Sequence, residues 1–179
     1  MLGRLGCDSP ISLINHIFKL FKKVNAGEHI DFITLTGDIT NHGTSVANVE
    51  SSPEYISKHY KRLKLLHHTV QRLFTRAFPH TPIAYAFGNN DTKFHDQPVL
   101  EEDKKEFMEF MYDLWFQQHK PNHKWAHHAE ATFKNGGYYK AHIEGNLSVL
   151  SFNTLYYNED YITQARVGNE GEEQWAWLE

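Results

Sequence analysis

Ile33-Thr-Leu-Thr-Gly-Asp-Ile-Thr-Asn-His42 and Ile83-Ala-Tyr-Ala-Phe-Gly-Asn-Asn-Asp91 decide the fold of this chain. Each is a short apolar run that meets a glycine and at once presents oxygen or nitrogen lone pairs. Ile30 to Thr36 is β-branched and closed by Gly37, the pattern of a strand buried on both faces. Thr81-Pro82 introduces a second strand, Ile83 to Phe87. Between them a helix is predicted from about Glu54 to Ala77, with Tyr60, Leu63, Leu66, Val70, Leu73 and Phe74 as its inner stripe. Strand, helix and strand make a parallel βαβ unit, so both glycine-terminated ends fall on one sheet edge. Functional loops gather at that edge.

Working outward, Ser9-Pro10 is a capped helix start, and Ile11, Ile14, Ile17, Phe18 and Phe21 continue it to about Lys23, where Ala26-Gly27 ends it. Gly43 to Pro53 is small and polar, hence a loop. Leu100 to Gln118 reads as a third helix with an acidic first turn and an apolar face of Phe107, Phe110, Met111, Leu114 and Trp115. A histidine-rich loop follows. Ala131-Thr-Phe-Lys, the turn Asn135-Gly-Gly and Tyr138 to Ile143 then predict a hairpin, and Leu147 to Asn153 a further buried strand. Gly171 to Glu179 begins a helix whose Trp175, Trp177 and Leu178 have nothing after them to pack on. Strands 30–36, 83–87 and 147–153 are expected to be core. No repeat, low-complexity run or interdomain linker divides the chain.

At 179 residues, 40% hydrophobic and 14% aromatic, the chain suits one domain with a sizeable core. A net charge of −4 argues against nucleic acid as a partner. No apolar run approaches the ~20 residues of a membrane span, and the first residues lack the apolar core of a signal peptide. Cys7 alone permits no internal disulfide. It reads either as a bland buried thiol or as an exposed one whose partner lies upstream. Of 13 histidines, most sit in polar stretches such as His67-His68 and His127-His128 and read as solvated.

The chemistry lies in the two glycine-terminated loops. A carboxylate at Asp38 can bridge two cations, and the amide oxygen of Asn89 is a neutral ligand for a divalent ion. Two metals ~3.5–4 Å apart can generate a nucleophile and clamp a phosphoryl group. His42 could hand a proton to the leaving alkoxide. Either segment alone is an ordinary turn. Together they point to metal-dependent hydrolysis of a phosphate ester. Such a centre needs more ligands than these segments supply, so the chain reads as the middle of an enzyme.

Thr36-Gly-Asp-Ile-Thr-Asn-His42, Phe87-Gly-Asn-Asn-Asp91, Gly136-Gly-Tyr-Tyr139 and Ser151-Phe-Asn-Thr-Leu-Tyr-Tyr-Asn158 resemble the acid sphingomyelinase-like phosphodiesterases of the calcineurin-like metallophosphoesterase superfamily. Gly6-Cys-Asp-Ser-Pro10 and Gln174-Trp-Ala-Trp-Leu-Glu179 extend the resemblance over nearly the whole chain. It implies an α/β fold, a metallophosphoesterase-type β-sandwich flanked by helices and incomplete at both ends, with residues 1–179 the central part of a single domain. It implies that Asp38 bridges two zinc ions, that Asn89 ligates one of them, and that His42 stands near the scissile phosphate. The family's Asp-x-His pair and its later histidine and Gly-His-x-His motifs have no counterpart here. His16, His29, His119, His123, His127, His128 and His142 match none of them.

One departure lies inside a motif. Where most such proteins carry a histidine after the metal-binding asparagine, this chain has Asn90, which can hydrogen-bond a phosphoryl oxygen but cannot deliver a proton. A similar Gly-Asn-Asn-Asp occurs in endopolyphosphatases. Catalytic work is therefore expected of His42, with Asn90 assisting. The first reading is a segment of a zinc phosphodiesterase acting on a lipid or nucleotide-like phosphodiester such as sphingomyelin, reached at a membrane surface without a span. An endopolyphosphatase-like hydrolase and a non-catalytic family fragment are the alternatives. Phe94, Trp125, Tyr138, Tyr156 and Tyr157 read either as core or as a choline-accepting groove. The resemblance implies a secreted or lysosomal glycoprotein. Asn146-Leu-Ser148 is an acceptor sequon if Asn146 stays in an exposed turn, whereas glycosylation at Asn90-Asp-Thr92 would block the site. Zinc binding and turnover by the 179-residue chain are expected to be weak.

Overall fold

The computed structural model describes residues 3–24, 28–47, 50–158 and 168–179. The predicted helix end at Ala26-Gly27 lies outside them. Helix α1 (Ile11–Val24) precedes strand β1 (Ile33–Leu35), which pairs in parallel with β2 (Ile83–Tyr85). The register sets Ile33 opposite Ile83, Thr34 opposite Ala84 and Leu35 opposite Tyr85. Helix α2 (Pro53–Ala77) makes the crossover. It starts where expected because the Ser52 hydroxyl accepts from the Tyr55 N–H and proline occupies the first turn.

Among the described strands only β2 is buried along its whole length. β1 was expected to be buried on both faces, yet Thr34 is exposed and Ile33 and Leu35 are half-buried. Among the described residues β1 has a strand on one side only, so its other edge is open. On β2, the Tyr85 ring stacks on Trp115 with centroids 4.8 Å apart. Trp115 belongs to a π-helical turn, Asp113–Gln117, that prolongs α3 (Glu101–Tyr112). The wider turn sets Leu114, Trp115 and Phe116 all in the core.

Two expectations fail in the next segment. The histidine-rich stretch and Ala131-Thr-Phe-Lys are not loop and strand but helix α4 (His123–Gly136). Trp125, Ala126, Ala129 and Phe133 recur at helical spacing and are buried, and this apolar stripe outweighs the turn signal. Asn135-Gly-Gly is the end of that helix: Gly137, at φ +76°, is its left-handed cap. The hairpin lies one step later, β3 (Tyr139–Glu144) with β4 (Leu147–Ser151), turned at Gly145. β4 is not the buried strand expected, since Leu147 and Leu150 remain about half exposed.

The last helix, α5 (Glu170–Leu178), does find packing. Trp177 packs on residues that precede it in the chain, Tyr138 and Phe152, while Trp175 stays exposed against Tyr157. Buried Gln174 joins α5 to the core by accepting from the Asn153 N–H and donating to the Tyr157 hydroxyl. The result is a mixed α/β arrangement of helices around two small sheets, with the C-terminal ends of β1 and β2 side by side.

Candidate metal centre

β1 ends in two consecutive left-handed residues, Gly37 at φ +91° and Asp38 at φ +52°. Glycine is required at the first, because a Cβ on Gly37 would collide with the backbone of Gly88. Aspartate tolerates the second better than most side chains. This sharp reversal lays the β1 loop directly on the β2 loop.

The two loops then hold each other by reciprocal carboxylates. Asp38 Oδ1 accepts from the Asn90 backbone N–H at 3.0 Å and from Asn90 Nδ2 at 3.3 Å. In return, Asp91 Oδ1 accepts from the N–H groups of Ile39 at 3.0 Å and Thr40 at 3.2 Å. Asp91 Oδ2 takes the Gly88 N–H at 3.0 Å and the Tyr85 hydroxyl at 3.4 Å, and Thr40 Oγ1 donates to the Asn90 carbonyl. One peptide step from Asn90 N puts the Asn89 Cα within about 5.5 Å of Asp38 Oδ1.

Asp38 is exposed, Asn89 is half-buried and Asn90 is buried. The Asn89 Nδ2 donates to Asp96 Oδ1 at 2.8 Å. Asn90 Oδ1 is a buried oxygen with no partner among the described residues. A carboxylate, a free amide oxygen and an orphaned buried oxygen at one sheet edge suit a hard or borderline divalent cation. They are too few to complete a shell: no cluster of three or more histidine, cysteine, aspartate or glutamate side chains stands ready for a metal among the described residues. The donors fit as part of a larger set.

His42 lies in the loop beyond Asp38 and is largely exposed. Its Nδ1 is 2.7 Å from Asp8 Oδ1. That hydrogen bond and charge raise the imidazole pKa, aided by Asp38, while His42 lowers that of Asp8. Asp8, Asp38, His42 and Asn90 line a cavity of about 600 Å³ together with the apolar side chains of Ile14, Phe18, Val70 and Phe74; Asn89 is not among the lining residues. Cys7, on the same rim, is exposed and free. The proposed aromatic groove is not formed. Phe94, Trp125 and Tyr138 are buried, and none of the five aromatics borders this cavity.

Three residues of the site had no role in the sequence reading. Asp8 and Asp91 stood inside quoted motifs without a function. His67 was read as solvated and is fully buried, with Nε2 donating to the Asp91 carbonyl at 2.9 Å and Nδ1 left without a partner. Its signal was present, since position 67 continues the helical stripe of Leu63, Val70 and Phe74. His119 is also buried, its Nε2 donating to the Thr81 carbonyl.

Burial lowers the pKa of both His67 and His119. In the unfolded chain they protonate near pH 6.5; folded, they resist. Stability is therefore present above that value and lost as the pH falls through it, by up to about 1.4 kcal/mol per pH unit for each histidine. Urea midpoints should drop between about pH 7.5 and about pH 5.5. A constant midpoint over that range would contradict neutral burial.

The chain belongs to the calcineurin-like phosphoesterase family, whose model matches residues 12–178. Among its relatives is the sphingomyelinase phosphodiesterase D of Dictyostelium discoideum, 25% identical over 179 residues, spanning 100% of this chain and 35% of that protein. Sphingomyelin phosphodiesterase A of the same organism is 28% identical over 155 residues, 86% of this chain and 23% of its own length. An endopolyphosphatase of Cryptococcus neoformans is 28% identical over 152 residues, 84% of this chain and 20% of its own. The chain thus spans about a third or less of the curated relatives it matches.

Proposed function

We propose that this chain is the central part of one calcineurin-like phosphoesterase domain and carries part of the centre of a zinc-dependent phosphodiesterase. The β-sandwich implied by the resemblance belongs to the same reading. The observation that carries it is the convergence of Asp38, Asn90 and an Asp8-held His42 on one cavity. Asp38 and Asn89 are the residues that would hold the metal. When bound, zinc supplies Lewis acidity toward water and toward the phosphoryl oxygens. His42 serves as the acid for the departing alkoxide, kept protonated to higher pH by Asp8. Asn90 spends one N–H on fixing Asp38 and retains one for a phosphoryl oxygen.

The apolar side chains that line the cavity beside these polar groups, Ile14, Phe18, Val70 and Phe74, support a lipid-bearing diester such as sphingomyelin, approached from a membrane surface. No helix among the described residues is long and apolar enough to cross one. Secretion or lysosomal delivery fits that substrate, and Asn146 is exposed in its turn as a glycosylation site requires. A second reading, hydrolysis of inorganic polyphosphate, is favoured by Asn90 and by the endopolyphosphatase relatives. Zinc-dependent turnover of bis-p-nitrophenyl phosphate, sphingomyelin in micelles and polyphosphate should separate them. Preference for the diesters is expected. Cleavage of polyphosphate alone would favour the second reading, and no zinc-dependent turnover of any of the three would leave a non-catalytic scaffold.

A further inference from the structure

Asn89 is useful to a cation only through Oδ1, yet its amide could turn over and present Nδ2 with almost no change of shape. The β2 loop contains a device that decides between the two. Asp96 Oδ1 sits 2.8 Å from Asn89 Nδ2, and His95 Nε2 sits 3.3 Å from the same nitrogen. His95 Nδ1 lies 2.7 Å from the other Asp96 oxygen, Oδ2. A carboxylate only accepts. With the proton of the neutral His95 ring on Nδ1, facing that oxygen, Nε2 keeps a lone pair for the second Asn89 N–H. Both amide hydrogens are thus engaged. The flipped amide would set its oxygen against a carboxylate oxygen and an imidazole lone pair, with no proton between them.

The backbone is shaped to hold this arrangement. Asp96 adopts φ +59°, a left-handed conformation uncommon outside glycine, which returns its side chain toward Asn89. Its N–H donates to the Asn89 carbonyl at 3.1 Å, and its own carbonyl accepts from Asn158 Nδ2 at 3.2 Å. The His95 N–H donates to the Val46 carbonyl at 3.0 Å, tying the loop to a neighbouring segment. Conformational strain of this kind persists only where surrounding contacts over-determine it.

We propose that Asp96, with His95, is the positioning residue that turns the Asn89 amide so that only its oxygen can face a metal ion. The inference rests on the reading of Asn89 as a ligand. Outer partners that orient a ligand typically change metal affinity about 10- to 100-fold when removed.

The test uses the ¹⁵N-labelled full chain titrated with Mn²⁺ alone, read as paramagnetic broadening of the Asp38, Ile39, Gly88 and Asn90 amide signals. Asp96→Gly removes the carboxylate while accepting the positive φ. Asp96→Asn keeps both the φ and an oxygen acceptor. Asn89→Ala is expected to abolish the broadening, Asp96→Gly to require at least about tenfold more Mn²⁺, and Asp96→Asn to stay close to wild type. Without metal, the two Asn89 side-chain N–H signals should move to solvent-like positions in Asp96→Gly, while signal dispersion elsewhere is kept. If Asp96→Gly broadens at the wild-type Mn²⁺ concentration while Asn89→Ala does not, the positioning role is overturned and the ligand reading stands. If Asn89→Ala broadens like the wild type, Asn89 is no ligand and both readings fall. Unmoved Asn89 side-chain signals in Asp96→Gly would overturn the hydrogen bond itself.

Discussion

Asp91→Ala is expected to cost about 3 kcal/mol or more of folding stability, a large share of the roughly 5–15 kcal/mol typical of a domain. The carboxylate accepts from three backbone N–H groups and a tyrosine hydroxyl at a fully buried position. Alanine leaves the three N–H groups without acceptors, and each such orphan costs about 1–3 kcal/mol. No water easily replaces the carboxylate, because Tyr85 and His67 close the space around it. Asp91→Asn keeps one acceptor oxygen but turns an N–H toward donors on the other side, so an intermediate loss is expected. Urea unfolding of both variants measures this. A loss below about 1 kcal/mol for alanine would show that the two loops are held by their chain connections alone, without the carboxylate.

His42→Ala should lower zinc-dependent turnover of bis-p-nitrophenyl phosphate by about 100-fold or more, the range of general acid catalysis. Asn90→Ala should lower it less, because an amide contributes hydrogen bonds and no proton. Basal turnover is itself expected to be slow, since one carboxylate and one amide hold a metal weakly, so the assay requires high enzyme concentration. Asp8→Asn supplies the internal check. Asp8 raises the His42 pKa, and a general acid loses activity as the pH climbs through its pKa. Without that carboxylate, the alkaline fall in rate should begin at lower pH. Turnover unchanged in His42→Ala would remove the acid role, and an unmoved pH limb in Asp8→Asn would separate Asp8 from it.

The parallel βαβ unit was legible because local signals agreed: apolar β-branched runs, a capped helix of helical periodicity, and glycines closing both strands. The histidine-rich stretch misled because Asn135-Gly-Gly serves equally as a hairpin turn and as a helix cap. Only the buried stripe of Trp125, Ala129 and Phe133 chooses between them. His67 misled for a related reason. Composition marks a double histidine as polar, whereas its place on the inner face of α2 buries it against Phe107 and Tyr85.

Sequence by itself determined the chemistry on offer: a carboxylate at Asp38, amides at Asn89 and Asn90 and an imidazole at His42, each next to a glycine-closed strand or a few residues beyond. These follow from residue type and short-range spacing, which a chain carries before it folds. Only the tertiary structure decided what each group faces. It set Asp91 under the N–H groups of Ile39 and Thr40, Asp8 against His42, and Asp96 against Asn89. The reason is physical: a hydrogen bond needs its partners within about 3 Å. Two of these three pairs join distant segments that meet only when β2 docks beside β1 and α1 leads the N-terminal residues across the cavity. The third depends on a left-handed turn at Asp96 that no local signal in the sequence announces.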